Sequence, residues 1–139
     1  MEVRFYETVA DELLKFAVIV AKANGKWVFC KHKERDTYEV PGGHREEGEA
    51  IEEAARRELY EETGAVEYHI EPVAVYSVVD GPAGEGETFG MLYYAEIISF
   101  EEELHSEIEK IILTDAPVEN WTYTLIQPIL MEKVQKHVK

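Results

Sequence analysis

Three glutamates, Glu58, Glu61 and Glu62, stand at positions i, i+3 and i+4 near the end of a run rich in alanine, leucine, glutamate and arginine. If the run is a helix, that spacing makes the three carboxylates neighbours. Like charges at this spacing repel by a few tenths of a kcal/mol. Acids in a last turn oppose the helix dipole at about 0.3–1 kcal/mol each. Arg57, four residues before Glu61, can answer only part of the charge. A hard divalent cation answers it better. Mg²⁺ and Mn²⁺ accept carboxylate oxygens, and Mg²⁺ shares its shell with water and substrate phosphates.

The direction of the carboxylates sharpens the reading. A helix advances about 100° per residue. With Ile51 at the origin, Ala54, Ala55 and Leu59 form an apolar stripe between about 300° and 80°. Glu58 falls near 340° and Glu62 near 20°, inside that stripe, and Glu61 sits at its edge near 280°. Glu52, Glu53, Arg56, Arg57 and Tyr60 fall on the opposite, solvent-facing arc. A carboxylate aimed at a core loses several kcal/mol of hydration unless something compensates. Such breaks in local consistency mark functional sites.

The elements that must position these groups follow from the flanking chain. The helix spans about Glu49 to Thr63 and stops at Gly64, a C′ glycine. Before it, Glu39-Val40 is extended because it precedes Pro41. Gly42-Gly43 then forms either a plain turn or a backbone that approaches a ligand closely. Lys15–Ala23 and Lys26–His32 read as strands joined by Asn24-Gly25, a strong hairpin signal. Phe16, Val18 and Val20 alternate with Ala17, Ile19 and Ala21, so both faces of the first strand are apolar and both are covered. Val66–Ile70 and Val73–Val79 read as strands broken at Pro72. Asp80–Glu87 is a glycine-rich loop, either substrate-facing or a hairpin connection. Thr88–Ile98 is a long strand, and Ile108–Leu113 a further one. A last helix over Leu125–His137 carries Ile126, Ile129, Leu130, Val134 and Val138 as its apolar face, with Pro128 in its first turn. Residues 1–14 show only a weak pattern. Strands around a central helix, with a helix at the end, indicate a mixed sheet flanked by helices.

Gly43, Glu49 and the run Arg57-Glu58-Leu59-Tyr60-Glu61-Glu62-Thr63-Gly64-Ala65 resemble the Nudix box, G-x5-E-x7-R-E-U-x-E-E-x-G-U, where U is a bulky aliphatic residue. Every glycine and charged position matches. Ala65 departs, being small where the family carries Ile, Leu or Val, and Val66 beside it can supply the bulk. Val40-Pro41-Gly42 is similar to the family's usual lead-in. The resemblance implies an α+β fold, a Nudix-type α/β/α sandwich with a mixed β-sheet between helices, as one domain over residues 1–139. It implies hydrolysis of a nucleoside diphosphate linked to another moiety, with Mg²⁺ or Mn²⁺. It places Glu58, Glu61, Glu62 and the Gly43 carbonyl at the metal, Arg57 as the group orienting a catalytic glutamate, Glu49 as support for Arg57, and Glu58 as one candidate base. Metal ions neutralise phosphate charge, activate water and hold the leaving group in line. A carboxylate near that water then takes its proton. Family members carry a further acid on a loop beyond the box. Glu107 is chosen by position, with Glu103 and Glu109 competing.

Substrate signals outside the box are sparse. The short chain is most similar to MutT-type enzymes that cleave nucleoside triphosphates, including 8-oxo-dGTP, to the monophosphate and pyrophosphate. The alternatives are ADP-ribose, dinucleoside polyphosphates, or a catalytically silent nucleotide-binding module of the same fold. Gly42 and Gly43 are candidate substrate contacts. Trp27, Tyr38, Phe89, Trp121 and Tyr123 are aromatic residues that either stack on a base or pack in the core. Asn120 either reads a base edge or caps a helix.

Composition agrees with a small acidic enzyme. The 139 residues carry 14 Lys plus Arg against 29 Asp plus Glu, a formal net charge of −15. That excess disfavours a nucleic acid polymer or an anionic membrane as partner, both of which need a basic face. It is compatible with a small phosphorylated substrate whose charge metal ions screen. Cys30 is the single cysteine, so no internal disulfide or cysteine-based zinc site forms. The N-terminal residues carry acids where a signal peptide needs bases, and no apolar run approaches a membrane span. The expectation is a cytoplasmic protein, a monomer or a homodimer by resemblance to the family.

Overall fold

The computed structural model describes residues 1–80, 86–102 and 108–138. In chain order the elements are β1 (Glu2–Tyr6), a 3₁₀ turn (Asp11–Leu13), β2 (Leu14–Ala23), β3 (Lys26–His32), β4 (Gly42–His44), α1 (Ile51–Thr63), β5 (Ala65–Val79), β6 (Glu87–Phe100), β7 (Ile108–Thr114) and α2 (Gln127–His137). The strands form one mixed sheet in the order β1-β5-β6-β2-β3-β7, with β4 pairing to β2. β2 and β6 run parallel, and the other pairs are antiparallel.

The sheet is buried on both faces, as the two apolar faces of β2 require. Ala17, Ile19 and Ala21 pack with Ala54, Ala55 and Leu59 of α1. Val18 and Val20 pack with Leu130, Met131 and Val134 of α2 on the other side. Alanine dominates the α1 side, which lets that helix lie close to the sheet. The expected mixed sheet between helices is therefore present.

Local chemistry explains most element ends. Asn24 and Gly25 both take positive φ, 52° and 75°, the geometry of a tight hairpin between twisted strands. α1 begins at Ile51, two residues later than expected. Glu53 turns back to accept the N–H of Ala50 at 3.0 Å. Gly64 ends the helix at φ 76°, its N–H donating to the Tyr60 carbonyl at 2.8 Å. α2 begins at Gln127 rather than Leu125, because Leu125 and Ile126 lie in the preceding turn. Its buried stripe is Gln127, Leu130, Met131 and Val134, an i, i+3, i+4, i+7 set. Ile129, expected on that face, is off the stripe and exposed.

Three features escape the sequence pattern. β1 pairs with the far half of β5, from Tyr6–Val75 to Glu2–Val79. β5 is continuous through Pro72, where a break was expected. The pairing with β6 is irregular between Pro72 and Ala74, and β1 does not reach Pro72, so the missing N–H disrupts no ladder on that side. β4, three residues long, is the Gly42-Gly43 segment itself, extended against β2 rather than turned.

Candidate active site

The sheet forks beside β2, and the fork builds the site. β3 pairs with β2 only from Ala21 to Ala23 and then diverges from it, while its other edge pairs with β7 from Trp27 to His32. The chain returns along β3 at Glu39, which exchanges two backbone hydrogen bonds with Cys30 at 2.8 and 3.0 Å. It then crosses to β2. The Pro41 carbonyl accepts from Ile19 N–H at 2.9 Å, and Gly42–His44 pairs with Phe16–Val18. Segment 39–44 thus spans the gap between two diverging strands, with α1 beneath it.

The carboxylates of α1 meet this segment. Glu58 and Glu62 are buried, at 9% and 8% exposure, while Glu52, Glu53 and Tyr60 face solvent. Glu62 Oε1 accepts the Gly42 N–H at 2.8 Å. The Glu58 carboxyl lies against Gly43 so closely that a Cβ there would fall inside it, 2.6 Å from Cδ. No residue with a side chain fits at 43 while Glu58 stays in place.

Arg57 organises the acids from the side. Its Nε and Nη2 donate to the two oxygens of Glu49 at 2.7 and 3.0 Å, its Nη2 also to the His44 carbonyl at 2.9 Å, and its Nη1 to Glu58 at 3.2 Å. Glu61 Oε1 is 3.5 Å from Nη1. Glu49 stands just before the helix, and its carboxyl is held down to about 2, chiefly by the Arg57 hydrogen bonds and by the Glu46 N–H. Glu58 moves the other way. Burial raises its carboxyl to about 7; Arg57 opposes the rise and Glu61 adds to it. A second acidic group adjoins. Glu39, 5% exposed, pairs with Arg35 at 2.8 Å. His32 Nε2 lies 3.5 Å from Glu39 and 3.4 Å from Glu62, buried and without a hydrogen bond.

Together these residues line a polar cleft of about 200 Å³ that includes Glu39, Gly42, Glu58, Glu61 and Glu62. Among the described residues no group of three His, Cys, Asp or Glu side chains is arranged to hold a metal ion as it stands. Mg²⁺ does not need one, since it takes one or two carboxylates and completes its shell with water and phosphate. The donor set is carboxylate and carbonyl oxygen, the set that suits Mg²⁺ and Mn²⁺. At Glu58 burial outweighs the neighbouring Arg57, and a cation beside the two buried carboxylates would offset that burial, so the residues fit a divalent ion.

A second cleft opens on the α2 side of the same segment. It measures about 320 Å³ and is lined by Phe16, Val18, Val78 and Leu130 among its apolar residues, with Glu39, His44, Tyr76, Thr88, Tyr123 and Gln127 as polar members. It shares Glu39, Gly42 and Tyr123 with the acidic cleft.

The family model of the NUDIX domain matches residues 12–133. The chain belongs to the NUDIX family. Over 89 residues it is 35% identical to a protein of Bacillus subtilis (strain 168) named "Putative 8-oxo-dGTP diphosphatase YtkD", an alignment covering 64% of this chain and 54% of that one. The match thus spans about half the length of that relative. The crystal structure of a mutant of the Bacillus subtilis pyrophosphohydrolase BsRppH superposes with a TM-score of 0.79 at 26% identity, covering 97% of this chain and 90% of that one. A NUDIX hydrolase from Nitrosomonas europaea shares the fold, with a TM-score of 0.69 at 20% identity over 90% of this chain and 88% of that one.

Within this NUDIX fold the residues singled out in the sequence separate. Gly42, Gly43, Glu49, Arg57, Glu58, Glu61 and Glu62 come together. Tyr38 bridges to Trp121 beside the core, and Asn120 donates its side-chain N–H to the Asp36 carbonyl at 3.3 Å. Phe89 packs on Tyr6, ring centroids 5.7 Å apart, away from both clefts. Trp27 and Trp121 are core. Tyr123 lines both clefts, with Arg35 over its ring. Glu107 and Glu103 lie outside the described residues, and Glu109 pairs with Lys31 at 3.1 Å. His32, Arg35, Glu39, Tyr76 and Gln127 were not singled out. The one local signal was an acid, Glu39, set directly before Val40-Pro41-Gly42. Among the described residues no helix is long and apolar enough to cross a membrane.

Proposed function

We propose that the chain is a divalent-metal-dependent pyrophosphohydrolase. Its substrate is a nucleoside diphosphate-linked compound, best matched by a (deoxy)nucleoside triphosphate such as 8-oxo-dGTP, cleaved to the monophosphate and pyrophosphate. The observation that carries this reading is the burial of Glu58 and Glu62 against the Gly42-Gly43 backbone, beside a cleft that opens onto an apolar one. An acidic cleft suits metal and phosphates, and an adjoining apolar cleft suits a nucleoside.

Glu58, Glu61, Glu62 and the Gly43 carbonyl would hold Mg²⁺ or Mn²⁺. When bound, the ion neutralises phosphate charge and activates water for in-line displacement. The chain's own groups do the rest. Arg57 orients Glu58 through Nη1 while Glu49 and the His44 carbonyl fix Arg57, which holds the Glu58 carboxyl against Gly43. Gly42 N–H fixes one oxygen of Glu62 and leaves the other turned toward His32. Glu61 is the least enclosed of the three acids, 45% exposed at its side chain, while Glu58 is buried and its carboxyl raised. Both are candidate acceptors of the water proton. Arg35, beside the acidic cleft, supplies a cation for a phosphate oxygen.

The likeness to the diphosphatase-named relative supports a nucleoside triphosphate. Turnover of a nucleotide panel in oxygen-18-labelled water, with Mg²⁺ or Mn²⁺, tests the reading. Pyrophosphate release with label in one product is expected. Absence of turnover on every nucleotide, ADP-ribose and dinucleoside polyphosphates included, would defeat it and leave a binding module of the same fold.

A further inference from the structure

Alternation along β3 puts Trp27 and Phe29 on the α2 side of the sheet and Val28 on the α1 side. His32, the last residue of β3, continues the Val28 set and turns its ring toward Glu62 of α1. There its Nε2 is buried and has no hydrogen-bond partner, a state found at no other buried side-chain nitrogen or oxygen among the described residues. Such atoms are rare in folded proteins and call for an explanation.

Two carboxylates converge on this nitrogen. Glu62 Oε2 lies 3.4 Å away and Glu39 Oε2 3.5 Å away. Each acid is already held by its other oxygen. Glu39 Oε1 accepts from Arg35 Nη1 at 2.8 Å, and Glu62 Oε1 accepts the Gly42 N–H at 2.8 Å. The three residues come from three parts of the fork: His32 from β3, Glu39 from the segment that crosses the gap, and Glu62 from α1. An ionised carboxylate only accepts hydrogen bonds, so a hydrogen on Nε2 suits both neighbours and a lone pair there suits neither. The near-equal distances set that hydrogen between the two acids. With Nε2 buried, solvent does not compete for it.

On the opposite flank of the cleft Arg57 donates to Glu58. Resting on the reading of the acidic cleft as a pyrophosphohydrolase site, we infer that His32 is the corresponding positioning residue for Glu62: its Nε2–H stands between Glu39 and Glu62 and keeps the Glu62 carboxylate oriented for a divalent ion. Nε2 carries this hydrogen in one neutral tautomer and in the imidazolium alike, so the role does not depend on the charge of the ring. Without the N–H, two buried like charges would face each other and the second Glu62 oxygen would lose its fixed direction. Groups that hydrogen-bond a metal-binding carboxylate typically change metal affinity by about 10–100-fold.

The test is calorimetric Mn²⁺ binding to the nucleotide-free full chain, beside the Mg²⁺ dependence of pyrophosphate release. His32→Leu removes the donor. It should weaken Mn²⁺ binding about 10–100-fold and raise the Mg²⁺ needed for half-maximal rate to match. KM for the nucleoside triphosphate at saturating Mg²⁺ should change less than about threefold, a split that a general loss of structure would not produce. His32→Gln offers an amide N–H in place of Nε2–H and should hold Mn²⁺ affinity within about threefold of the wild type. Long-range proton–nitrogen spectra of the wild-type ring should show a hydrogen on Nε2, and they decide the matter should His32→Leu fail to fold. Wild-type Mn²⁺ affinity in His32→Leu, an equal loss in His32→Leu and His32→Gln, or an Nε2 without hydrogen overturns the inference. No Mn²⁺ binding by the wild type overturns it together with the metal site. His32-dependent Mn²⁺ binding without turnover of any nucleotide would instead defeat the hydrolase reading alone.

Discussion

Arg57 grips Glu49 with two nitrogens, Nε 2.7 Å from one carboxylate oxygen and Nη2 3.0 Å from the other. Glu49 lies before α1 and Arg57 in its middle, so the pair ties the incoming loop to the helix. The same guanidinium reaches the His44 carbonyl and Glu58. It therefore fixes the loop, the strand β4 and a buried acid at once. Lysine offers a point charge in place of this fork. Arg57→Lys and Glu49→Gln should each lower kcat by about 10–100-fold, the cost typical of losing a group that orients a metal ligand. The pair is part-exposed, so stability should change little. Steady-state kinetics beside a denaturant melt check both values.

Gly42 and Gly43 are adjacent, yet their substitution should fail in different ways. A Cβ at 42 meets backbone, the Ala17 carbonyl at 2.7 Å, which cannot move without opening β2. A Cβ at 43 meets only the end of the Glu58 side chain, which can rotate away. Gly42→Ala should lower the melting temperature markedly. Gly43→Ala should leave the fold largely intact and weaken Mg²⁺-dependent activity by about 100-fold or more, because Glu58 is displaced. Circular dichroism melts and Mg²⁺ titrations of the two variants separate the effects.

Glu58 gives the metal-free protein a pH signature. Its carboxyl is raised from the ordinary 4.5 to about 7 by burial, with Arg57 opposing and Glu61 assisting. The native state then binds this proton more tightly than the unfolded chain does. The stabilisation is full below about pH 4.5 and is lost as pH rises through about 7. At about 1.36 kcal/mol per pH unit the unscreened ceiling is about 3 kcal/mol. Solvent reaching the cleft reduces it to on the order of 1–2 kcal/mol. Glu58→Gln should flatten the decline, and Mg²⁺ should also remove it by favouring the ionised carboxylate. Denaturant melts from pH 4.5 to 8, with and without Mg²⁺, provide the check.

The helix and its carboxylates were legible because helical periodicity is a local property. One wheel separated Glu58 and Glu62 from Glu52 and Glu53, and the structure buries the first two and exposes the others. The Asn24-Gly25 hairpin was legible for the same reason, since both residues must take positive φ. The fork was not. It depends on β3 parting from β2 after Val28 while β7 stays paired along its other edge, a long-range arrangement that no residue pattern near β3 announces. His32, Arg35 and Glu39 reach the cleft only through that arrangement. β1 and β4 are too short for an alternating pattern to show. Gln127 resembled any polar residue at a helix start, and only its bond to Val40 shows that α2 is docked on the segment that crosses the fork.

The account turns on the buried pair Glu58 and Glu62 as the groups that bring a divalent ion to a phosphoanhydride. The most direct test is pyrophosphate release from a nucleoside triphosphate as Mg²⁺ is titrated, in the wild type, Glu58→Gln, Glu62→Gln and the surface control Glu52→Gln. The account predicts Mg²⁺-dependent release by the wild type and the control. It predicts a loss of at least about 100-fold in the two buried variants. Release that needs no divalent ion, or full activity in Glu58→Gln and Glu62→Gln, would contradict it.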